Sequence, residues 1–440
     1  MKAAFYTLGC KLNYSETSTI GSQFQEKGFE IIDYDSKADV YVINTCTVTE
    51  NAEKDCRQIV RRALKNNPEA YIIVTGCYAQ LRPNEIAEID GVDLVVGSNE
   101  KFDLFSFIES FEKNKLSCIH VSPTEELDSF NLSYSTDSDS RTRAFLKIQD
   151  GCDYKCSFCT IPLARGKSRS AKPELILDQF KKLLDSGYKE IILTGVNVGD
   201  YGKSAQSNFY SLLNSIVQIN GEFRVRISSI EPNLLTDEII DLAAGDSRLC
   251  NHFHIPLQSG SDKILKLMQR RYKVSDYENL IYKVNEKINY AGIGVDVIVG
   301  SPGETEADFL DTYNFLNKLP ISYLHVFTYS ERPNTKALEI EGKVDVVERK
   351  RRNNMLRILS EKKRNYFYNS LINKELDVLF EHENHDGWMR GFTSNYVRVK
   401  HPYNPDLINS FTKIKIKGID DNICTAELLN MNSLQIKSAG

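Results

Sequence analysis

Short β-branched runs alternate with amphipathic segments along most of the chain, and this alternation is the feature that most limits its fold. Early examples are the apolar runs at 40–43 and 71–74, with an amphipathic helical spacing at 51–65 between them. Strands separated by helices usually form a parallel sheet that helices cover. We therefore predict an α/β chain whose first domain, residues 1–121, contains a parallel sheet that is flavodoxin-like or Rossmann-like.

The alternation resumes beyond a segment of different composition. Residues 122–140 are rich in serine and acidic residues and contain no Lys or Arg, which predicts a linker. Six strand candidates with helical segments between them then follow from 144 to 327. They are too few for a closed eight-stranded barrel. Residues 141–365 are therefore expected to form an open, partial barrel of six β-α units.

The last part of the chain has a third pattern. After a charged helical stretch at 344–364, residues 366–440 contain short alternating runs separated by turn signals such as Asp386-Gly387. Short strands joined by tight turns are typical of small antiparallel barrels. We predict such a barrel at the C-terminus.

Charge and cysteine content exclude several classes of protein. The chain has 440 residues and a net charge of -5, so any contact with nucleic acid must come from local basic patches. Its 10 cysteines are too scattered for a small secreted disulfide scaffold, and their clustering suits metal in a reducing compartment. No apolar run approaches the ~20 residues of a membrane span. We expect a soluble, cytoplasmic protein without a membrane partner.

One short loop carries three cysteines in a C-x3-C-x2-C run: Cys152, Cys156 and Cys159. A 4Fe-4S cluster normally takes four cysteine ligands, so three leave one iron open to bind a substrate. The alternative is a structural zinc loop. Zinc would need a fourth Cys or His nearby, and the next histidine is His252. The spacing therefore favours an iron-sulfur cluster.

A second set of three cysteines is dispersed along the first domain. Cys10, Cys46 and Cys77 each follow a predicted strand. Loops at the carboxyl ends of parallel strands meet at one edge of the sheet, which would bring the three thiols together. Gly9 and Gly76 permit tight turns beside a bulky group. The alternative is three unrelated buried cysteines. The remaining cysteines are expected to serve packing: Cys56, Cys118, Cys250 and Cys424.

Together these features resemble the methylthiotransferase family of radical S-adenosylmethionine (SAM) enzymes over essentially the whole chain. The loops read TLGCKLN at 7–13, NTCTVT at 44–49, GCYAQ at 76–80 and CTIPLARG at 159–166. They are most similar to the branch that acts on N6-threonylcarbamoyladenosine in tRNA. The isopentenyladenosine branch usually reads GCQMN and GCMAQ, and the ribosomal-protein branch usually reads GCPKN.

The resemblance implies an architecture and a set of cofactors. Residues 1–121 would carry an auxiliary 4Fe-4S cluster, residues 141–365 would be the radical SAM core, and residues 366–440 would be a TRAM barrel that binds RNA. The implied ligands of the auxiliary cluster, hereafter the auxiliary cysteines, are Cys10, Cys46 and Cys77. The implied ligands of the radical SAM 4Fe-4S cluster, hereafter the SAM-loop cysteines, are Cys152, Cys156 and Cys159.

The resemblance also implies an activity. One SAM would methylate an additional sulfur held on or near the auxiliary cluster, and another would yield a deoxyadenosyl radical. A methylthio group would then replace the hydrogen on carbon 2 of the modified adenine next to the anticodon. The electron would come from a donor such as flavodoxin or ferredoxin. The alternatives are isopentenyladenosine in tRNA, an aspartate of a ribosomal protein, or a non-enzymatic iron-sulfur carrier with an RNA-binding tail.

Candidate contacts to SAM follow from position. Phe158 precedes the third SAM-loop cysteine, and the other candidates end predicted barrel strands, where functional residues of barrels usually lie. Each alone could equally be part of a turn. The expected SAM contacts are Phe158, Gly195, Asn197, Ser228, Glu231, Gln258, Ile298 and Gly300.

Basic stretches at 165–172 and 343–374 are candidate phosphate contacts on an otherwise acidic chain. A solvated surface is the usual alternative for such a run. Arg271 lies in a family motif, and Arg332 lies in a loop where relatives often carry Gly at the position of Asn334. The expected contacts to a tRNA anticodon stem-loop are Arg165, Lys167, Arg271, Arg332, Arg349, Arg351 and Arg352.

Overall fold

The computed structural model describes residues 1–47, 50–113, 116–135 and 142–429. Within these ranges the chain forms an N-terminal α/β domain, a central partial barrel and a C-terminal closed barrel. Residues 136–140 of the predicted linker lie outside the described residues.

The N-terminal domain is built on six parallel strands in the order β2-β1-β3-β4-β5-β6. The first five strands follow the flavodoxin order, so the predicted sheet is confirmed. β3 and β4 are fully buried, as apolar central strands covered on both faces should be. The strands are β1 Lys2–Thr7, β2 Glu30–Ile32, β3 Val40–Thr45, β4 Tyr71–Gly76, β5 Leu94–Val96 and β6 Cys118–His120. The helices are α1 Lys11–Glu26, α2 Glu50–Asn66, α3 Cys77–Leu81 and α4 Pro83–Ala87.

The central domain is the predicted open barrel. Strands β11-β10-β7 and β12-β13-β14 form two parallel sheets, and single bridges such as Ser229 to His254 join β11 to β12. A short pair, β8 with β9, brackets the loop of the SAM-loop cysteines. The strands are β7 Arg143–Lys147, β8 Gln149–Asp150, β9 Arg169–Ser170, β10 Glu190–Thr194, β11 Arg224–Ile227, β12 His252–His254, β13 Gly292–Val299 and β14 Tyr323–Thr328.

Helices cover the outside of the barrel and lead into the last domain. None of the helices in the described ranges is both long and apolar enough to cross a membrane. The helices are α5 Ile161–Arg165, α6 Pro173–Asp185, α7 Phe209–Ile216, α8 Asp237–Gly245, α9 Asp262–Leu267, α10 Val274–Lys287, α11 Glu306–Lys318 and α12 Val346–Ser370. Helix α12 runs through position 365, where the sequence predicted a domain boundary.

The C-terminal strands close into a barrel in the order β15-β16-β17-β19-β18. Its pairings are antiparallel except for a short parallel contact between β17 and β19. Val378, Phe380 and Met389 are buried in its core. The strands are β15 Glu375–Phe380, β16 Trp388–Thr393, β17 Arg398–Pro402, β18 Phe411–Asp420 and β19 Ile423–Leu428.

The segment predicted as a linker packs onto the core over its described part, so it is not a free connection there. Ser133 and Ser135 are fully buried. The backbone amide of Lys147 donates to the carbonyl of Ser133 at 2.9 Å, and Tyr134 forms an antiparallel bridge with Leu146. Composition predicted a linker, and its described part satisfies backbone polar groups by pairing with the edge of β7.

Candidate iron-sulfur and SAM site

The SAM-loop cysteines lie between β8 and α5. Gly151 begins the loop at φ +70°, and a Cβ there would lie 2.0 Å from the carbonyl oxygen of Lys167, so the turn requires glycine. Two donors approach the thiols: Arg270 Nη1 lies 3.1 Å from Cys156 Sγ, and the Ile161 amide lies 3.4 Å from Cys159 Sγ. Donors aimed at sulfur suit a metal-bound thiolate, whose charge they stabilise.

The three thiols also influence one another. Burial raises the pKa of Cys152 to about 12, and the nearby Cys156 contributes to the rise. Burial likewise raises the pKa of Cys159 to about 12, with contributions from the other two thiols. Without metal these groups are protonated, and metal binding would release their protons. Three thiols on one short loop fit a cluster with one open iron.

The auxiliary cysteines meet at one edge of the N-terminal sheet. The ends of β1, β3 and β4 are in register, with Thr7 opposite Asn44 and Asn44 opposite Thr75. Cys46 and Cys77 directly follow β3 and β4, and Cys10 follows the end of β1 by three residues. A Cβ at Gly9 would lie 2.8 Å from Cys46 Sγ, and one at Gly76 would lie 2.3 Å from a backbone oxygen. Glycine at these two positions thus lets the strand ends approach closely, which helps to bring the three thiols to one edge.

Arg165 links the two sets of cysteines. It lies in α5, shortly after the SAM-loop cysteines, and is only 1% exposed. Its Nε donates to Cys77 Sγ at 3.3 Å. Its Nη1 contacts Glu16 at 2.9 Å and Asp150 at 3.0 Å, and its Nη2 contacts Asn13 at 2.7 Å. The guanidinium therefore joins helix α1, an auxiliary cysteine and the base of the SAM loop.

Glu16 is the carboxylate on which this buried network depends. Lys101 Nζ lies 2.7 Å from one of its oxygens, and Lys147 Nζ lies 3.3 Å from the other. Burial alone would raise the pKa of Glu16, but Arg165, Lys101 and Lys147 outweigh it and hold the pKa well below its usual range. A buried network of acidic and basic side chains therefore spans the junction of the first two domains.

Two cavities open between the cysteine sets. The larger, of about 670 Å³, is lined by Phe158, Cys159, Gln258 and Ile298 among others. The second, of about 400 Å³, is lined by Cys46. Thr47 and Thr160 line both cavities, and their hydroxyl oxygens are 3.3 Å apart. The loops that follow Cys46 and Cys159 therefore touch, and both cysteine sets face connected space.

Several strand ends present unpaired polar atoms beside the SAM loop. Within the described residues, Asn197 Nδ2, Ser228 Oγ and Gln258 Oε1 are buried and have no hydrogen-bond partner. A buried polar group without a partner costs about 1–3 kcal/mol, so several together indicate a polar ligand. SAM carries amino, carboxylate and ribose groups that such atoms can bind. These strand ends therefore fit SAM.

Comparisons with known proteins agree with this site. Residues 2–97 match the family described as Uncharacterized protein family UPF0004, and residues 146–316 match the Radical SAM superfamily. A Bacillus subtilis (strain 168) protein named threonylcarbamoyladenosine tRNA methylthiotransferase MtaB is 41% identical over 425 residues, which covers 94% of this chain and 93% of that protein. The chain belongs to the MtaB-type branch of the radical SAM methylthiotransferases.

A second branch is also similar. A Hydrogenobaculum sp. (strain Y04AAS1) protein named tRNA-2-methylthio-N(6)-dimethylallyladenosine synthase is 35% identical over 345 residues, which covers 78% of this chain and 79% of that protein. Among solved structures, the radical SAM methyltransferase TsrM from Kitasatospora setae matches with a TM-score of 0.57 at 15% identity, covering 76% of each chain. This structural likeness concerns the fold alone. The predicted family is confirmed, and with it the use of an iron-sulfur cluster and SAM.

Three of the predicted SAM contacts of this methylthiotransferase contact other parts of the protein: Glu231, Gly195 and Gly300. Glu231 is paired with Arg270, the residue that donates to Cys156. A Cβ at Gly195 would lie 2.9 Å from Gln149 Oε1, so this glycine permits close packing against β8. Gly300 has φ +76° and packs against the side chain of Arg349. Gly300 therefore shapes the turn after β13 and does not line the cavity.

Four of the predicted RNA contacts are accessible. Lys167, Arg271 and Arg351 are exposed, and Arg332 is half-buried and lines both cavities. The guanidinium of Arg271 stacks 3.9 Å above the ring of Tyr154, inside the SAM loop. Arg351 is already paired with glutamates on α11 and α12. Arg332 thus lines the two cavities, whereas Arg271 and Lys167 lie beside the SAM loop.

Three other arginines predicted to contact RNA are buried, and the structure corrects that prediction. Arg165 lies in the network with Glu16. Arg349 is 2% exposed and donates to the Tyr329 carbonyl at 3.0 Å, and Arg352 is 4% exposed and contacts Glu304 at 2.7 Å. Residues three or four positions apart share one face of a helix, so Arg349 and Arg352 both turn inward on α12, where they need carboxylate partners instead of phosphates.

The sequence did not reveal a polar group inside the barrel. His254 Nε2 lies 2.7 Å from Asp296 Oδ1, and the ring of His325 lies edge-on to His254 at 5.4 Å between centroids. Lys11, the residue after the first auxiliary cysteine, lies within electrostatic reach of Asp296 and His325. Burial lowers the pKa of Lys11 to about 8, and the nearby Arg226 adds to this effect. The sequence signal that could have indicated this group is the presence of polar residues within the apolar strands β12, β13 and β14.

Proposed function

We propose that the chain is a tRNA methylthiotransferase that adds a methylthio group to carbon 2 of N6-threonylcarbamoyladenosine next to the anticodon. The observation that carries the proposal is the contact between Thr47 and Thr160, which follow an auxiliary and a SAM-loop cysteine and line the same cavities. A base in this space would face both cysteine sets at once. The names and identities of the relatives support the tRNA substrate.

The proposal includes two 4Fe-4S clusters and an additional sulfur on or near the auxiliary one. The SAM-loop cysteines would hold the first cluster and the auxiliary cysteines the second. SAM bound at an open iron supplies a carbon-centred radical, which an aromatic C–H requires because it is neither acidic nor electrophilic.

The residues of the chain would bind and orient these groups. Asn197, Ser228 and Gln258 offer unpaired polar atoms to SAM, and Phe158 packs at the same cavity. Arg270 donates to Cys156 and forms an ion pair with Glu231. One side chain therefore connects the proposed SAM contact Glu231 to the proposed cluster ligand Cys156.

Arg271, Arg332 and Lys167 are the proposed phosphate contacts for an anticodon stem-loop. They are accessible, Arg332 at the cavities and Arg271 and Lys167 beside the SAM loop, unlike the buried arginines of α12. The C-terminal barrel is the proposed TRAM domain. A reduced flavodoxin or ferredoxin would supply the electron, and tRNA as substrate makes the cytoplasm the proposed location.

The direct test is nucleoside analysis of tRNA from a strain lacking the gene and from the same strain complemented with it. Mass spectrometry should show that 2-methylthio-N6-threonylcarbamoyladenosine disappears and returns, while its unmethylthiolated precursor accumulates. A change confined to the dimethylallyl nucleoside would move the assignment to the second branch. Unchanged nucleosides with a mass change in a ribosomal protein would refute a tRNA substrate. A chain that never cleaves SAM under strong reductant would be an iron-sulfur carrier.

A further inference from the structure

One short helix, α5, contacts a sulfur of each cysteine set. Its first residue is Ile161, whose amide lies 3.4 Å from Cys159 Sγ. Its last residue is Arg165, whose Nε donates to Cys77 Sγ at 3.3 Å. An auxiliary cysteine of the N-terminal domain therefore receives a hydrogen bond from the central domain, from a residue shortly after the SAM-loop cysteines.

The guanidinium of Arg165 uses each of its five N–H groups. Nη1 donates to Glu16 and Asp150, and Nη2 donates to Glu16 and Asn13. The fifth N–H, on Nε, is directed at Cys77. Ion pairs with the two carboxylates would not by themselves require a sulfur at this position. A neutral thiol is a weak acceptor, whereas a metal-bound sulfur carries negative charge, so the contact suits a cysteine that binds a cluster.

Asn13 holds the loops of the other two auxiliary cysteines. It is fully buried, and its Nδ2 donates to the Leu8 carbonyl at 2.8 Å and to the Thr45 carbonyl at 2.9 Å. Leu8 lies two positions before Cys10, and Thr45 directly precedes Cys46. Its Oδ1 accepts from the guanidinium described above at 2.7 Å. One arginine thus contacts one auxiliary cysteine directly and reaches the loops of the other two through a single amide.

We propose that Arg165 is a positioning residue of the auxiliary site and raises the reduction potential of the cluster held there. Reduction adds negative charge to an iron-sulfur cluster, and an N–H donor on a ligating sulfur stabilises that charge. Asn13 assists by holding the loops of Cys10 and Cys46 against the same guanidinium. This inference rests on the second cluster of the proposed function and adds the residues that control its redox state.

The competing interpretation is that Arg165 only neutralises Glu16 and Asp150. Lys101 and Lys147 also contact Glu16, and Lys147 lies 3.4 Å from Asp150. Each carboxylate therefore has another cation beside it. A purely structural role would lower stability without changing the potential of one cluster, so the two interpretations differ in a measurable quantity.

The test measures the midpoint potential of each cluster in the full-length, anaerobically reconstituted protein by EPR-monitored redox titration. A Cys152→Ser background isolates the auxiliary cluster, and a Cys46→Ser background isolates the SAM-loop cluster. Arg165→Gln should shift the auxiliary potential downward and leave the SAM-loop potential unchanged. Arg352→Gln is the matched control, because Arg352 is also buried but donates to glutamates, and it should shift neither potential.

An auxiliary potential that is unchanged in Arg165→Gln overturns the inference, and so does an equal shift in Arg352→Gln. Should Arg165→Gln fail to fold or to bind auxiliary iron, Arg165→Lys is titrated instead. Lysine keeps the charge but ends in one ammonium group, which is expected to stay with the carboxylates and leave the sulfur. The same downward shift is then expected, and an unchanged potential again overturns the inference.

Iron analysis in the same two backgrounds tests the amide. Asn13→Ala should lose auxiliary iron and keep the iron of the SAM-loop cluster. Asn285→Ala is the control, because Asn285 Nδ2 also donates to two backbone carbonyls, those of Ile281 and Pro320. Retention of all iron in Asn13→Ala, or an equal loss in Asn285→Ala, would contradict the role of Asn13.

Wild-type protein separates this inference from the proposed function. If wild type holds only one cluster, or makes no methylthio product on the natural tRNA, the proposed function fails. If it holds two clusters and makes the product while Arg165→Gln leaves the auxiliary potential unchanged, only the inference about Arg165 fails.

Discussion

The two cysteine sets reach similar arrangements by different routes. The SAM-loop cysteines lie on one loop, so local backbone geometry alone brings them together. The auxiliary cysteines come from the ends of three strands, and only the register of β1, β3 and β4 places them at one edge. The first set is therefore a local motif and the second a property of the folded sheet. A substitution that distorts the sheet should therefore displace the auxiliary cysteines far more than the SAM-loop cysteines.

The largest expected effect separates the two sets by reaction. Cys152→Ser should abolish both SAM cleavage and methylthiolation, because the open-iron cluster needs all three ligands. Cys46→Ser should abolish methylthiolation and leave SAM cleavage in place. Each variant should retain roughly half of the iron if two like clusters are present. 5'-Deoxyadenosine, methylthio product and iron are measured on the same samples. Loss of SAM cleavage in Cys46→Ser would contradict the separation.

The next effect concerns the network that joins the sets. Arg165→Gln leaves Glu16 and Asp150 buried with fewer counter-charges, and breaking a buried ion pair on one side costs roughly 3–5 kcal/mol. Arg351→Gln is the control, because its ion pairs are exposed and should cost at most about 1 kcal/mol. Denaturant unfolding measures both. Equal losses would show that the network contributes no more than a surface pair.

The sequence predicted much of this fold and part of the site. The strand-helix alternation and the cysteine spacing are local signals, so the flavodoxin-like sheet and the partial barrel were predictable from them. The burial of Arg165, Arg349 and Arg352 was not, because each depends on a carboxylate elsewhere in the chain: Glu16, Glu331 or Glu304. The sequence alone does not distinguish a basic residue that contacts a phosphate from one that pairs with a distant glutamate.

A smaller effect tests whether sheet geometry controls the auxiliary set. Gly76 has φ +100°, and a Cβ there would lie 2.3 Å from the carbonyl oxygen of Thr45. Gly28 has φ +85° with nothing within 4 Å. Both alanine variants carry backbone strain of roughly 1–3 kcal/mol, and the collision adds to it only in Gly76→Ala. Iron content and SAM cleavage are measured together. Gly76→Ala should lose auxiliary iron and keep SAM cleavage, whereas Gly28→Ala should keep both.

The smallest expected effect belongs to a cysteine outside both sets. Cys118 lies exposed on β6, the edge strand of the sheet, and no site described above contains it. Cys118→Ser should change the free energy of unfolding by no more than about 0.5 kcal/mol, as surface substitutions usually do. Iron content and both activities should equal those of wild type. A loss of iron in this variant would mean that cluster ligation extends beyond the two sets, and the contrast between a local motif and a sheet-built site would then fail.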